Sequence, residues 1–114
     1  MAHYSQSLDI AFQALSDPTR RFVVAQLSSG PASIKELAEP FDMGLPSFLK
    51  HIKVLESGGL ITSKKTGRVR TCTLNRDQLA AAEEWLNQQR VAWESRYEKL
   101  DNLLANLKGD DDET

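Results

Sequence analysis

"LPSFLKHIKVLESGGLI", residues 45–61, reads as a short amphipathic helix closed by two glycines. At about 100° per residue, and with Ile52 as the reference, Leu45, Phe48, Leu49 and Leu55 fall within about 60° of it. That is the face expected to be buried. Ser47, Lys50 and Val54 point within about 40° of the opposite direction, with His51 and Lys53 on the flanks. Gly58 or Gly59 is expected to supply a left-handed C-cap.

Upstream, "ASIKELAEP" predicts a third helix, capped by Ser33 with Glu36 three residues on and stopped by Pro40. "FDMG" is the turn between the two. A short helix, a tight turn and a second helix form a helix-turn-helix, whose second helix enters the major groove of a duplex. Before it, Leu8, Phe12 and Leu15 mark a first helix with one apolar face. Asp17 and Pro18 then open a second helix, which carries Phe22, Val23, Val24 and Leu27.

Downstream, "LITSKK" and "VRTCTLN" flank Thr66-Gly67-Arg68 and predict a hairpin crowded with Lys64, Lys65, Arg68 and Arg70. Lysines also occur on edge strands that simply avoid mispairing. Here four cations share one tip. From Arg76 to about Leu107 no proline or glycine intervenes, and Leu79, Leu86, Trp93, Leu100 and Leu107 recur every seventh residue. Such a repeat seeks a partner along the helix. The preceding body is too small to cover every apolar turn of a helix roughly 45 Å long. A homodimer is therefore expected, seamed by Leu8, Phe12 and Leu15 of the first helix with Leu86, Trp93, Tyr97, Leu100 and Leu104 of the last. Residues 1–108 are read as one domain and 109–114, "GDDDET", as a disordered acidic tail.

The chain has 114 residues and a formal net charge of −2, but that charge is segregated. Residues 45–76 carry seven lysines and arginines against Glu56 alone, whereas the stretches on either side are acidic. A local positive field on an acidic protein suits a polyanion bound at one face. Lys50 can donate to guanine O6/N7, Ser47 to base edges or phosphate, and His51 to a phosphate or a purine acceptor. The hairpin cations suit phosphate or the minor groove.

"ALSDPTRRFVVAQL", "SIKELAEPFDMGLPSFLKHIKVLESGGLI" and "KKTGRVRTCTL" together resemble the ArsR/SmtB family of small winged-helix repressors, with the likeness running from about residue 8 to residue 105. The H-I-x-x-L-x-x-x-G-L-I portion is its most specific part. The resemblance implies a mostly α winged helix-turn-helix fold: four helices, a two-stranded β wing and a long C-terminal helix. It further implies a homodimer that binds an inverted-repeat, double-stranded DNA operator, represses transcription, and is released by a chemical signal that the sequence leaves unknown. By position, Ser47, Lys50 and His51 occupy the operator-reading sites within a recognition helix of about 45–57. Arg68 occupies the tip of a wing of about 62–70. Gly44, Leu45, Leu49 and Pro40 depart from the family pattern and bear on base preference.

Metal-sensing relatives carry a Cys-x-Cys pair on the third helix, where this chain has Ser33 and Lys35. Its histidines are His3 and His51, so no metal or other cofactor is expected. Cys72 is the one cysteine and faces inward on the hairpin with Leu74. Its nearness to Arg70 leaves a thiol-responsive regulator as one alternative and a dimeric protein-interaction module as another. No enzyme is expected. A glycine-rich phosphate loop is missing from the sequence, and Ser47 and His51 have no orienting acid nearby in sequence. The N-terminal "MAHYSQSLDI" lacks leader character, no apolar run reaches the roughly 20 residues of a membrane span, and a lone cysteine fits a reducing compartment. A cytoplasmic protein is expected.

Overall fold

A computed structural model describes the backbone of residues 2–113 and the side chains of residues 8–108. The elements run α1 (Ala2–Ala14), α2 (Pro18–Leu27), β1 (Ala32–Ser33), α3 (Ile34–Ala38), α4 (Leu45–Ser57), β2 (Ile61–Thr66), β3 (Val69–Leu74) and α5 (Arg76–Glu113). They form two compact units, Met1–Ala82 and Glu83–Thr114, with the boundary inside α5.

Each start in the first unit has a local cause. Asp17 caps α2: its Oδ2 accepts from the Thr19 and Arg20 amides at 2.8 and 3.2 Å, and Pro18 follows at the first helical position. Ser33 caps α3 in a reciprocal box, its Oγ accepting from the Glu36 amide at 3.1 Å while its own amide donates to Glu36 Oε1 at 3.2 Å. Gly44 caps α4 without a side-chain bond, and Pro46 stands in the first turn. Gly59, with φ +74°, is the left-handed residue that ends α4, whereas Gly58 is right-handed. Gly58 is needed for a different reason. A Cβ there would sit 3.3 Å from Ala14 Cβ and 3.4 Å from Ile10 Cγ2, so its bare backbone lets α1 approach α4.

The hairpin is tighter than expected, since Thr66 pairs with Val69 across a two-residue turn, Gly67-Arg68. Gly67 has φ +63° and, among the described residues, no other residue type has a positive φ, the II′ pattern with glycine first. The sheet is also wider than expected. Ala32 and Ser33 pair with Cys72 and Thr71, making an antiparallel sheet of order β1-β3-β2. Two residues are too few to show any periodicity, so this strand left no sequence signal.

Val23, Leu27, Leu37, Phe48, Ile52, Leu55, Leu60, Ile61 and Cys72 form the core of the first unit. Leu15 and Leu79 pack against it, so Leu15, expected at the dimer seam, is used within this unit. Leu8 and Phe12 are half-buried. Two expectations about α4 are corrected: Leu45 and Leu49 are 54% and 40% exposed. Leu45 is the first residue of α4, and the five-residue α3 is too short to cover either leucine. In the second unit α5 continues as helix to Glu113, into the segment read as a disordered tail. Side chains from residue 109 onward lie outside the described residues, as does that of His3.

Partial burial alone would raise the Asp17 carboxyl. The Arg20 and Thr19 amides, with the charges of His51 and Arg20, outweigh that and hold it below its ordinary value. A folded-state pKa below the unfolded one gives stability that is present above the unfolded value and lost as pH falls through the folded one. Asp17→Ala should therefore cost roughly 0.5–2 kcal/mol in urea melts at neutral pH. The gap to wild type should narrow in acid, and Asp17→Asn should keep most of the cap while flattening the acid dependence. Cys72 has no accessible surface. Burial pushes its thiol up, Glu56 adds to the rise, and Arg70 offsets only part of it. An aromatic disulfide reagent should label it slowly in native buffer and rapidly in denaturant. Fast native labelling would restore the thiol-responsive alternative.

Candidate nucleic-acid interface

Burying Phe48, Ile52 and Leu55 fixes the rotation of α4, so the opposite face must point outward. Ser47, Lys50, Lys53 and Val54 are all exposed there. Neither lysine has an ion-pair partner among the described residues. Lys50, Lys53 and Val54 also line a shallow cavity against Ile10, Gln13 and Ala14 of α1, so the lysine side of α4 borders the end of the first helix.

His51 stands apart from that group. Its side chain is 23% exposed, and its Nδ1 lies 3.1 Å from Arg20 Nη1 and 3.8 Å from Asp17 Oδ2. A guanidinium can only donate. In the neutral ring Nδ1 accepts from Arg20 and Nε2 carries the proton, whereas a protonated ring pairs with Asp17 Oδ2 instead. Arg20 also donates to the Ala14 carbonyl from Nε at 2.7 Å and to the Gln13 carbonyl from Nη2 at 3.2 Å. Arg21 reaches the Leu15 carbonyl at 2.8 Å. The two arginines thus satisfy carbonyls at the end of α1, which a helix terminus otherwise leaves open. Arg20 ties α1, α2 and α4 together. The sequence reading missed this role, although an arginine pair just beyond a helix end is the available signal. His51 is accordingly an orienting residue at this junction, on the helix expected from the sequence to read DNA.

The wing cations divide by strand alternation. Lys65 and Arg70 are register partners, so they project from the same sheet face as buried Ile61 and Cys72 and extend beyond the core. Lys64 lies on the other face, paired with Thr71. Arg68 occupies the turn. Arg70 Nη1 donates to Ser63 Oγ at 3.0 Å, and that hydroxyl donates to Glu56 Oε1 at 2.7 Å, linking the wing to the last turn of α4. Like charges directly opposite in a sheet destabilise it. The Lys65–Arg70 pair is thus a local cost that an anion at this face would offset. Lys65, Arg68 and Arg70 line one groove with Leu45, Leu49 and α3, whereas Lys50 and Lys53 lie on the α1 side of α4. The basic residues therefore flank the helix on both sides. Chemically, the array presents unneutralised ammonium and guanidinium groups beside a helix face of suitable width for a groove.

Comparison with known proteins places this architecture. A helix-turn-helix domain model matches residues 15–64, from the end of α1 into β2. The chain is 38% identical over 76 residues to the HTH-type transcriptional regulator Rv2034 of Mycobacterium tuberculosis, covering 67% of this chain and 71% of that protein. It is 31% identical over 75 residues to the transcriptional repressor SdpR of Bacillus subtilis, covering 66% and 83% respectively. A crystal structure of an ArsR family transcriptional regulator superposes with a TM-score of 0.74 and 54% identity, covering 80% of this chain and 94% of that one. This chain belongs to the ArsR family of winged helix-turn-helix transcriptional regulators.

Proposed function

We propose that the chain acts as a homodimeric repressor in the cytoplasm, binding an inverted-repeat operator with α4 in the major groove and the β2–β3 wing on the flanking backbone. The observation that carries this reading is the arrangement around α4. Its buried seam turns Ser47, Lys50 and Lys53 outward without acid partners, and the adjacent wing holds Lys65 and Arg70 in register. In that reading Lys50 and Ser47 meet base edges, and Lys53, Lys64, Lys65, Arg68 and Arg70 meet phosphates. His51 positions the helix through Arg20 and offers its Nε2–H to the duplex.

The dimer is supported by the second unit taken alone. Leu86, Trp93, Tyr97, Leu100, Leu103, Leu104 and Leu107 are each at least half exposed along one side of α5. Trp93 and Tyr97 stack edge to face at 5.2 Å and form an aromatic anchor. An apolar stripe of that length on a monomer would be unusual. A second copy covers it, with Leu8 and Phe12 of α1 completing the seam; Leu15, just past α1, is taken up by the core of its own unit. A two-fold dimer then sets two recognition helices about one DNA turn apart, roughly 34 Å. Among the described residues no helix is long and apolar enough to cross a membrane.

Selection of duplexes by the purified protein, followed by fluorescence anisotropy on the selected operator, tests the reading. If each protomer neutralises three to five phosphates, log K should fall against log salt with a slope of about −5 to −9; a slope near zero would contradict it. Lys50→Ala should cost roughly 1–3 kcal/mol on the operator and relax one base position. Arg68→Ala should instead weaken operator and random DNA alike. For assembly, sedimentation at micromolar concentration should give a dimer. The double variant Trp93→Glu with Leu100→Glu should give a monomer with little affinity for the inverted repeat. A monomeric wild type would overturn the proposed seam.

A further inference from the structure

The groove between the wing and α4 has a lining that phosphate binding does not require. It is an open groove of about 1020 Å³, lined by Leu45 and Leu49 of α4, Val69 of β3, and Ile34, Ala38 and Phe41 from α3 and the following turn. Leu45, Leu49 and Val69 are 54%, 40% and 53% exposed, so three large apolar side chains face solvent inside a concavity. Around them stand Lys35, Lys65, Arg68 and Arg70, with Glu39 the single acid of the lining. The side chains of Lys35, Lys65 and Arg68 make no hydrogen bond or ion pair among the described residues. A volume near 1000 Å³ with an apolar floor and a few convergent charged groups has the form of a small-molecule site.

We propose that this groove binds a small organic carboxylate with an apolar tail, and that the bound acid opposes operator binding. The inference rests on the regulatory reading above and names its signal by chemical class. Charge complementarity selects the occupant. Ammonium and guanidinium groups favour an anion, Arg68 and Arg70 can each clasp a carboxylate through two N–H donors, and the leucine wall favours a hydrocarbon over water. A phosphate ester of the DNA backbone would satisfy the cations but leave the wall exposed. Because Lys65, Arg68 and Arg70 also face the backbone in the operator complex, carboxylate and DNA compete for the same donors. Each must then lower the other's affinity by the same factor.

Isothermal titration of the full chain with octanoate, 1-octanol and acetate, without DNA, tests the site directly. Octanoate should bind saturably and at least tenfold more tightly than either control. Arg68→Ala should weaken it about tenfold, the scale of one charge-assisted contact. Leu49→Glu should abolish it; should that variant fail to fold, Leu49→Ser and Lys65→Ala serve, each expected to weaken binding several-fold. Saturating octanoate should lower operator affinity at least tenfold. No saturable binding, equal binding of octanol, or binding unchanged in both Leu49 and Arg68 variants would overturn the proposal. So would a Leu49 variant that alters base preference in a protein that takes up no octanoate, since the leucine would then be a DNA contact. Wild type that binds its operator but not octanoate refutes the carboxylate site alone. Wild type that binds octanoate but no DNA refutes the regulatory reading and leaves the site standing.

Discussion

Phe48, Ile52 and Leu55 are fully or almost fully removed from solvent against Val23, Leu27, Leu37, Leu60, Ile61 and Cys72. Burying each such side chain stabilises the fold by about 1.5–3 kcal/mol. Turning α4 by a third of a revolution would expose all three and force charged groups toward the core, at several kcal/mol per buried ion. The rotation of the helix is therefore not adjustable. Lys50 and Ser47 point outward because the apolar seam leaves them no other direction.

A second constraint sets the tilt and height of the same helix. Arg20 joins the last carbonyls of α1 to His51, and Asp17 caps α2 from the same junction. At the other end, Glu56 holds Ser63, which holds Arg70. One polar chain thus anchors the α1–α2 corner to the first half of α4, and another anchors the wing to its last turn. The apolar seam provides the binding energy between elements, and these contacts provide register. Between the seam and the wing the short α3 leaves Leu45 and Leu49 uncovered, and that gap becomes the groove they share with Lys65, Arg68 and Arg70.

The legible features were those with a strong local cause. Caps at Asp17 and Ser33, the breaker Pro40, the Gly67 turn and the α4 periodicity each act within a few residues, so their partners lie in the same short stretch of sequence. Helical angle alone placed Phe48, Ile52 and Leu55 correctly. It failed for Leu45 and Leu49 because their exposure depends on where α3 ends, a tertiary matter. Strand β1 was illegible because two residues carry no period. The Arg20–His51 contact was illegible because it links positions 31 apart in the chain, although the arginine pair just past α1 signals the nearer contacts to its last carbonyls. The cluster of wing cations was visible, but its division across two sheet faces needed the register.

The account stands on the outward face of α4 and the wing engaging one duplex together. Titrating the isotopically labelled protein with its selected operator, and following backbone amide shifts, tests this most directly. The account places the largest changes within residues 46–54 and 64–70, with the core of α2 little affected. Shifts concentrated on α2 or along α5, with α4 and the wing unmoved, would contradict it.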